Sequence, residues 1–493
     1  MSILTIHQGL QTSQLRFEPP ARLSDLLAKA HVAIAQPCGG RGVCGKCSVA
    51  LEGGVSAPND AELRCGTRLS CQALILGDAA VTLPISLPLA QIASGTVADR
   101  TPAEPMDGQF GAAIDIGTTT LALLLYDLTT GRCVGSASML NPQTSVAADV
   151  IGRIDAAMHG KADSLRQQIE GALSSLMAAA CAQAGIPSIH LDALVITGNT
   201  TMLYLLTGRD PISLSRAPFL ADCLFGDETR YLDRAAYLPD CLHAFVGADT
   251  TCAILAAGMT ERSETALLCD VGTNGELALW HHGQLYIAST AAGPAFEGAG
   301  ISCGCSSVPG AIDRVDVQDS EVLCHTIGDA RAVGICGSGL VDAIAAMLDT
   351  EAIDETGFLE DDVFHLRDGI SLNQSDVRAV QLAKAATHAG IMSLLHAAGC
   401  SPADVSTVYL AGGFGSHLNL RSAVRVGLIP AELAEKVQVI GNAALDGAAL
   451  LLLDTSARQK IQALRQLCQH VRLDGNPEFS ERYVEAMMFD ECP

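Results

Sequence analysis

Short apolar runs punctuated by glycine and hydroxyl residues dominate this chain, and two of them share one pattern. Ala112-Ala113-Ile114-Asp115-Ile116-Gly117-Thr118-Thr119-Thr120 leads into the apolar Leu121–Tyr126. Further on, Ala266–Cys269 runs into Asp270-Val271-Gly272-Thr273-Asn274-Gly275-Glu276 and then Leu277–Trp280. Each reads as a strand ending in Asp, a tight turn and a second strand. The two aspartates, at 115 and 270, stand 155 positions apart. A recurrence of that kind predicts an internal duplication, two half-domains facing each other. Between and after the hairpins the apolar period changes. Ser164–Ala184 is helical, Leu191–Ile196 and Val408–Ala411 are strands, and Ala332–Ile335 is a strand running into a helix from Leu340. Alternation of this type predicts an α/β fold.

The first 84 residues have a different rhythm. Ile3–Ile6 and Ser13–Phe17 are two strands about a glycine turn, Leu23–Ala30 a short helix with Ser24 as its N-cap, and Lys46–Leu51 a strand closed by a turn at Glu52-Gly53-Gly54. Residues 85–110 are rich in proline and small polar residues and read as a semi-extended linker. The expected organisation is therefore 1–84, a linker at 85–110, and two halves at 111–260 and 261–493.

With 493 residues, 49% of them hydrophobic, the chain can bury several cores. Its net charge of −24 sets it against nucleic acid, whose phosphates need basic patches. The excess acid lies beyond residue 100; before it, charges nearly balance. No apolar run approaches the roughly 20 residues of a membrane helix. The start lacks a basic region followed by an apolar core, so a soluble cytoplasmic protein is expected.

Eighteen cysteines are many for such a protein, and most stand alone in apolar surroundings. Cys38, Cys44 and Cys47 do not: they crowd a glycine-rich loop, Cys38-Gly-Gly-Arg-Gly-Val-Cys44-Gly-Lys-Cys47. Spacings of five and then two residues, in a chain of glycines that lets amides approach sulfur, suit a [2Fe-2S] cluster. Cys71 is the preferred fourth ligand, because Arg68–Gln72 leads into the strand-like Ala73–Leu76; Cys65 competes for the place. A single C-x-x-C without a second pair argues against structural zinc. Cys303 and Cys305 could ligate a second metal, but two thiolates do not make a site.

The paired turns carry the other chemistry. Glycine lets backbone N–H groups reach phosphate oxygens, Thr hydroxyls add donors, and an Asp at the strand end holds Mg²⁺. One such turn is weak evidence, whereas two in a duplicated fold would grip phosphates from both sides. The strand ending Ala411-Gly412-Gly413-Phe414-Gly415 suits close approach to a ribose or base, and Gly334–Leu340 offers a helix N-terminus to an anion. Asp249 and Glu297 stand beside glycines and read equally as nucleotide, magnesium or partner contacts and as caps.

These blocks, with Thr197–Met202 and Ala291–Gly298, resemble ATPases of the actin, sugar-kinase and heat-shock-chaperone superfamily, and specifically the reductive activators of corrinoid proteins. The resemblance implies an α/β multidomain chain: an N-terminal β-grasp [2Fe-2S] ferredoxin-like domain, then a duplicated ribonuclease-H-like, actin-type ATPase fold. It also implies that the ATPase binds ATP and Mg²⁺. Phosphates would meet Gly117, Thr118, Thr119, Thr120, Gly272, Thr273 and Asn274, and the remaining nucleotide contacts would fall to Gly337, Gly339, Gly412 and Gly413. Asp115 and Asp270 would position Mg·ATP, and they or Glu276 would orient the attacking water. The implied partners are a corrinoid protein of a methyltransferase system, an upstream low-potential electron donor and a second copy of the chain in a homodimer. Relatives often carry a middle domain where only the linker is expected here.

Overall fold

The computed structural model describes residues 1–8, 11–30, 32, 34, 42, 47–65, 67–83, 98–147, 149–272, 274–319, 321–415 and 417–489. Cys38, Cys44, Thr273, the Cys65 side chain and linker residues 85–97 lie outside the described residues.

Apolar alternation builds the N-terminal sheet. Its strands run in the order Gln11–Phe17, Ser2–Gln8, Leu74–Thr82, Ser48–Val55, Arg68–Leu69. The first pair is antiparallel, while Ser2–Gln8 and Leu74–Thr82 are parallel across the middle. Leu4 and Ile6 face inward onto the helix Leu23–Lys29, which buries Leu23, Leu26 and Leu27 against Ile75 and Val81. This is the expected β-grasp. Two local expectations change. Ser24 lies inside the helix, and the preceding Arg22 occupies the cap position without a side-chain bond. Glu52-Gly53-Gly54 is not a turn but part of the strand Ser48–Val55, with a register shift between Gly53 and Val55. Glycine is required there by proximity: a β-carbon on Gly53, at φ +94°, would stand 2.6 Å from the Asp78 carbonyl oxygen.

Beyond the linker, two six-stranded sheets repeat one plan. In the first, Phe110–Ile116, Thr120–Asp127 and Cys133–Leu140 form an antiparallel meander. Leu191–Gly198 adds in parallel to Phe110–Ile116, and Arg234–Tyr237 in parallel to that. In the second, Thr265–Val271, Gly275–His281 and Gln284–Thr290 form the meander, with Val405–Ala411 and then Val437–Gly441 added in parallel. Both faces of each sheet are covered, which is why the strands read as continuous apolar runs. On the first sheet, Ala112, Ile114 and Ile116 pack under the helix Ala162–Ala184, whose Leu165, Ile169, Leu173 and Leu176 recur every three to four residues.

The opposite face is covered from far away in the chain. Ala113, Leu124 and Tyr126 pack on Leu445, Ala448 and Leu452 of the helix Ala443–Leu453, which follows the last long strand of the second sheet. In exchange, Ala253 and Ile254 of the helix Ala248–Ala256 pack on Ala266, Leu268 and Tyr409 of the second sheet. Two helices thus cross between the halves, and the turns after Ile116 and Val271 open onto the space beside that crossing. Among the described residues no helix is long and apolar enough to cross a membrane.

Candidate functional site

Each turn follows an Asp at a strand end. Asp115 lies in register with Thr197 of the parallel neighbour, and Asp270 with Ala411 of its own. The first turn is tied from behind. Asn141 Nδ2 donates to the Gly117 carbonyl at 2.9 Å, and Arg153 Nη2 donates to that of Thr118. Arg153 is fully buried and also donates to Gln143 Oε1 at 3.2 Å and to the Ala147 carbonyl at 3.1 Å. Burial lowers its pKa to about 10, which leaves it a cation at neutral pH. With these carbonyls occupied, Thr118, Thr119 and Thr120 line a cavity of about 290 Å³.

The second half forms the facing wall with Asp270, Gly272, Asn274 and Glu276. Gly412 and Gly413 line it too, and Gly412 shows why glycine follows that strand. At φ +89°, a β-carbon on it would lie 2.5 Å from Asp270 Oδ1. Gly337 also lines the cavity, so close to the turn Pro294–Glu297 that a β-carbon would sit 1.8 Å from the Phe296 carbonyl oxygen. Gly339 does not line it. A β-carbon there would meet the Ile312 carbonyl oxygen at 2.2 Å, so this glycine serves helix-to-strand packing rather than a ligand.

Asp249 and Glu297, whose roles the sequence left open, both line the cavity. Two asparagines join them. Asn199 and Asn442 each cap a helix, accepting from Met202 N at 3.0 Å and Leu445 N at 2.9 Å. Each then spends its amide on the first turn: Asn199 Nδ2 donates to Thr118 Oγ1 at 3.0 Å and Asn442 Nδ2 to Asp115 Oδ2 at 3.1 Å. A signal for both was present, since Ile196-Thr-Gly198-Asn199 and Ile440-Gly441-Asn442 put Gly-Asn at a strand-to-helix junction. Phe296 and Phe414 stack at 4.9 Å in the wall, and His417 stands nearby. Cys305 lines the cavity as well, with its neighbour Cys303 half-buried.

Five carboxylates therefore share one space. Burial, then the charge of Asp249, raises Asp115 to about 7. Burial, then Asp249 and Glu297, raises Asp270 to about 7 as well. Asp249 is raised by burial to about 6, and burial with the charges of Asp249 and Asp270 drives Glu276 well above the carboxylate range. Like charges this close resist ionising together, and a cation would reverse that. Among the described residues no three of His, Cys, Asp and Glu come close enough to hold a metal unaided. The donor set fits a cation held jointly by carboxylates, water and a phosphorylated ligand.

The N-terminal domain carries a second site. Cys47 and Cys71 are both buried, and their sulfurs stand 3.2 Å apart. Ser70 N donates to the Cys47 carbonyl at 2.9 Å, joining the two segments. The hydrogen bond from Cys47 holds Cys71 down at about 6, while that bond and burial push Cys47 up. A thiolate beside a thiol in this arrangement fits two ligands of one tetrahedral metal, whose sulfurs stand roughly 3.8 Å apart for bonds of about 2.3 Å.

A ferredoxin-type thiol pair in front of a two-jawed, carboxylate-lined cavity defines an iron–sulfur protein of the actin-type class. Comparison with known proteins agrees. Residues 7–76 match the 2Fe-2S iron-sulfur cluster binding domain, 110–262 the RACo middle region, and 264–492 the C-terminal, ASKHA domain of RACo. The chain is similar to the corrinoid activation enzyme RamQ of Eubacterium limosum, 34% identical over 78% of this chain and 70% of that one. It is also similar to a Co(II) methylated amine-specific corrinoid protein reductase of Methanosarcina barkeri, 27% identical over 76% of each. A solved reductive activator for corrinoid, iron-sulfur protein shares the fold, with a TM-score of 0.71 over 99% of this chain and 98% of that one. The chain belongs to the family of reductive activators of corrinoid proteins. The family's middle region, residues 110–262, coincides with the first six-stranded sheet and lies beyond the linker in the sequence.

Proposed function

We propose that this protein uses ATP to return one electron to a corrinoid partner whose cobalt has oxidised from Co(I) to Co(II). What supports this above all is one chain joining a buried cysteine pair in a 2Fe-2S domain to a cavity walled by two Asp-x-Gly turns. Cys38, Cys44, Cys47 and Cys71 would hold the [2Fe-2S] cluster, which supplies a one-electron donor near −400 mV in plant-type ferredoxins. Each 100 mV by which the donor falls short costs about 2.3 kcal/mol per electron. ATP offsets this through shape: residues 111–260 and 261–493 act as two halves of an ATPase that close on nucleotide.

The chain's own groups divide the work. Thr118, Thr119 and Thr120 bind phosphate oxygens, as do Gly272, Thr273 and Asn274 from the other side. Asp115 and Asp270 would hold Mg²⁺ on the phosphates, and Gly337, Gly412 and Gly413 admit the rest of the nucleotide without side-chain obstruction. An upstream low-potential donor refills the ferredoxin domain, and the protein works as a cytoplasmic homodimer.

The test is direct. Reduced protein is mixed anaerobically with a Co(II) corrinoid protein, and the visible spectrum is followed with and without Mg·ATP. Formation of Co(I) only with Mg·ATP is expected, and no Co(I) in its presence would overturn the proposal.

A further inference from the structure

Thr119 belongs to the turn of the first half, and Glu297 to the turn Pro294–Glu297 of the second. Across the cavity, Thr119 Oγ1 donates to Glu297 Oε2 at 2.7 Å. A phosphate seated in the Gly117–Thr120 turn would therefore have this carboxylate facing it from the opposite wall.

We propose that Glu297 orients and deprotonates the water that attacks the terminal phosphate of ATP, with Thr119 holding the carboxylate in place until nucleotide arrives. The assignment rests on the reading of this cavity as an ATP site. In the step, the water oxygen bonds to the terminal phosphorus and the bond from that phosphorus to the bridging oxygen of ADP breaks. One water proton passes to Glu297 and then to solvent; ADP and inorganic phosphate leave.

Three observations favour Glu297 over the other acids. To accept from the Thr119 hydroxyl, its carboxylate must present a lone pair toward the phosphate turn, which is also what an incoming water proton needs. Glu276 sits in register with Asp270 on the adjoining strand of the second half, beside that cation ligand rather than bonded to the phosphate turn of the first half. Asp115 and Asp270 stand at the strand ends beneath the turns, the place of cation ligands, and Asp115 already takes the Asn442 amide.

The backbone around Glu297 is also fixed. Gly293 and Gly298 flank the turn at φ +81° and +73°. A β-carbon on Gly298 would stand 2.3 Å from the Cys305 carbonyl oxygen, and Phe296 is stacked on Phe414. The carboxylate is thus set on a support that does not need to form during reaction. Thr119 has one hydroxyl proton, so donating it to a phosphate oxygen releases Glu297 to take a proton from water.

The experiment compares Glu297→Gln, Glu297→Asp and Thr119→Val with the native holoprotein, measuring steady-state ATP hydrolysis against pH and equilibrium binding of ATP and ADP. Glu297→Gln should lower kcat by about 100-fold or more, with ATP affinity within about threefold of native and the acid limb of the kcat–pH profile lost. Glu297→Asp, which keeps the carboxylate, should recover part of that rate and the acid limb. The native cluster absorbance and melting temperature in each variant exclude misfolding. The assignment is overturned if Glu297→Gln hydrolyses ATP within about threefold of native, or if ATP and ADP affinity fall together by about tenfold or more. Native protein that neither binds nor hydrolyses ATP, with or without a corrinoid partner, would instead overturn the nucleotide reading itself.

Discussion

Gly447 lies so close to Cys252 that a β-carbon on the glycine would stand 2.0 Å from the Cys252 carbonyl oxygen. This is the crossing of the helices Ala443–Leu453 and Ala248–Ala256, each of which packs on the sheet of the other half. The contact is backbone against backbone, so no rotamer relieves an added methyl. Gly447→Ala should therefore push the helices apart, at a cost of about 1–3 kcal/mol typical of overpacking. Thermal unfolding should record the loss, and nucleotide affinity should fall with it because the two walls of the cavity shift. An unchanged melting temperature would show that the crossing is looser than its geometry.

The carboxylates predict a pH dependence. Asp115 and Asp270 are raised from 3.8 to about 7, so the folded nucleotide-free protein holds protons that the unfolded chain has released. Their contribution to stability is full below about pH 4 and is lost as pH rises through about 7. The Asp115→Asn/Asp270→Asn double variant should escape that loss in melting curves between about pH 4 and 7. Magnesium nucleotide favours the ionised pair, so its stabilisation of the native protein should be larger at the upper end of that range. Equal stabilisation at both ends would remove these aspartates from the cation site.

A single Asp270→Ala change should leave the [2Fe-2S] absorption intact and abolish ATP-dependent reduction of a Co(II) partner. Full activity in that variant, followed by the same visible-spectrum assay, would take the second turn out of the nucleotide site.

In the ferredoxin domain, Glu62 is 2% exposed and holds three donors. Its Oε1 accepts from Leu69 N and Arg68 Nε, both at 2.9 Å, and its Oε2 from Asn59 N at 3.1 Å. It thereby fixes the strand Arg68–Leu69, which leads directly to Cys71. Glu62→Gln breaks the ion pair and leaves one of these donors facing an NH₂ group. A loss of about 1–3 kcal/mol in domain stability is expected, together with faster bleaching of the cluster absorbance by a chelator. Bleaching at the native rate would separate Glu62 from the Cys71 segment.

The fourth ligand can be decided by substitution. Cys47→Ser and Cys71→Ser should each lose the [2Fe-2S] absorption and EPR signal while nucleotide binding persists, and Cys65→Ser should keep both. Loss in Cys65→Ser with retention in Cys71→Ser would move the fourth ligand to Cys65, against the 3.2 Å approach of the Cys47 and Cys71 sulfurs.

The sequence alone determined whatever depends on near neighbours. The two Asp-x-Gly turns were legible because a strand end, a glycine and hydroxyls lie within a few residues, and their recurrence announced the duplication. The β-grasp hairpin and the long helix were legible from periods of two and of about 3.6 residues. Turn chemistry was less so: Gly53 and Gly54 look like a turn, and only the nearness of Asp78 and Gly77 shows that they let two strands approach. For the same reason Gly337 lines the cavity while Gly339, two residues on, packs against Ile312.

Tertiary structure alone decided which residues converge. Asn442 reaches Asp115 across 327 positions and Glu297 reaches Thr119 across 178. No local pattern encodes such meetings; they follow from two helices exchanging sheets and bringing the turns of both halves to one cavity. The charge of that cavity was likewise hidden in the sequence, where Asp115, Asp249, Asp270, Glu276 and Glu297 are five separate acids. Only folding removes them from water and places them together, and that is the physical reason Asp115, Asp249, Asp270 and Glu276 hold their protons until a cation arrives.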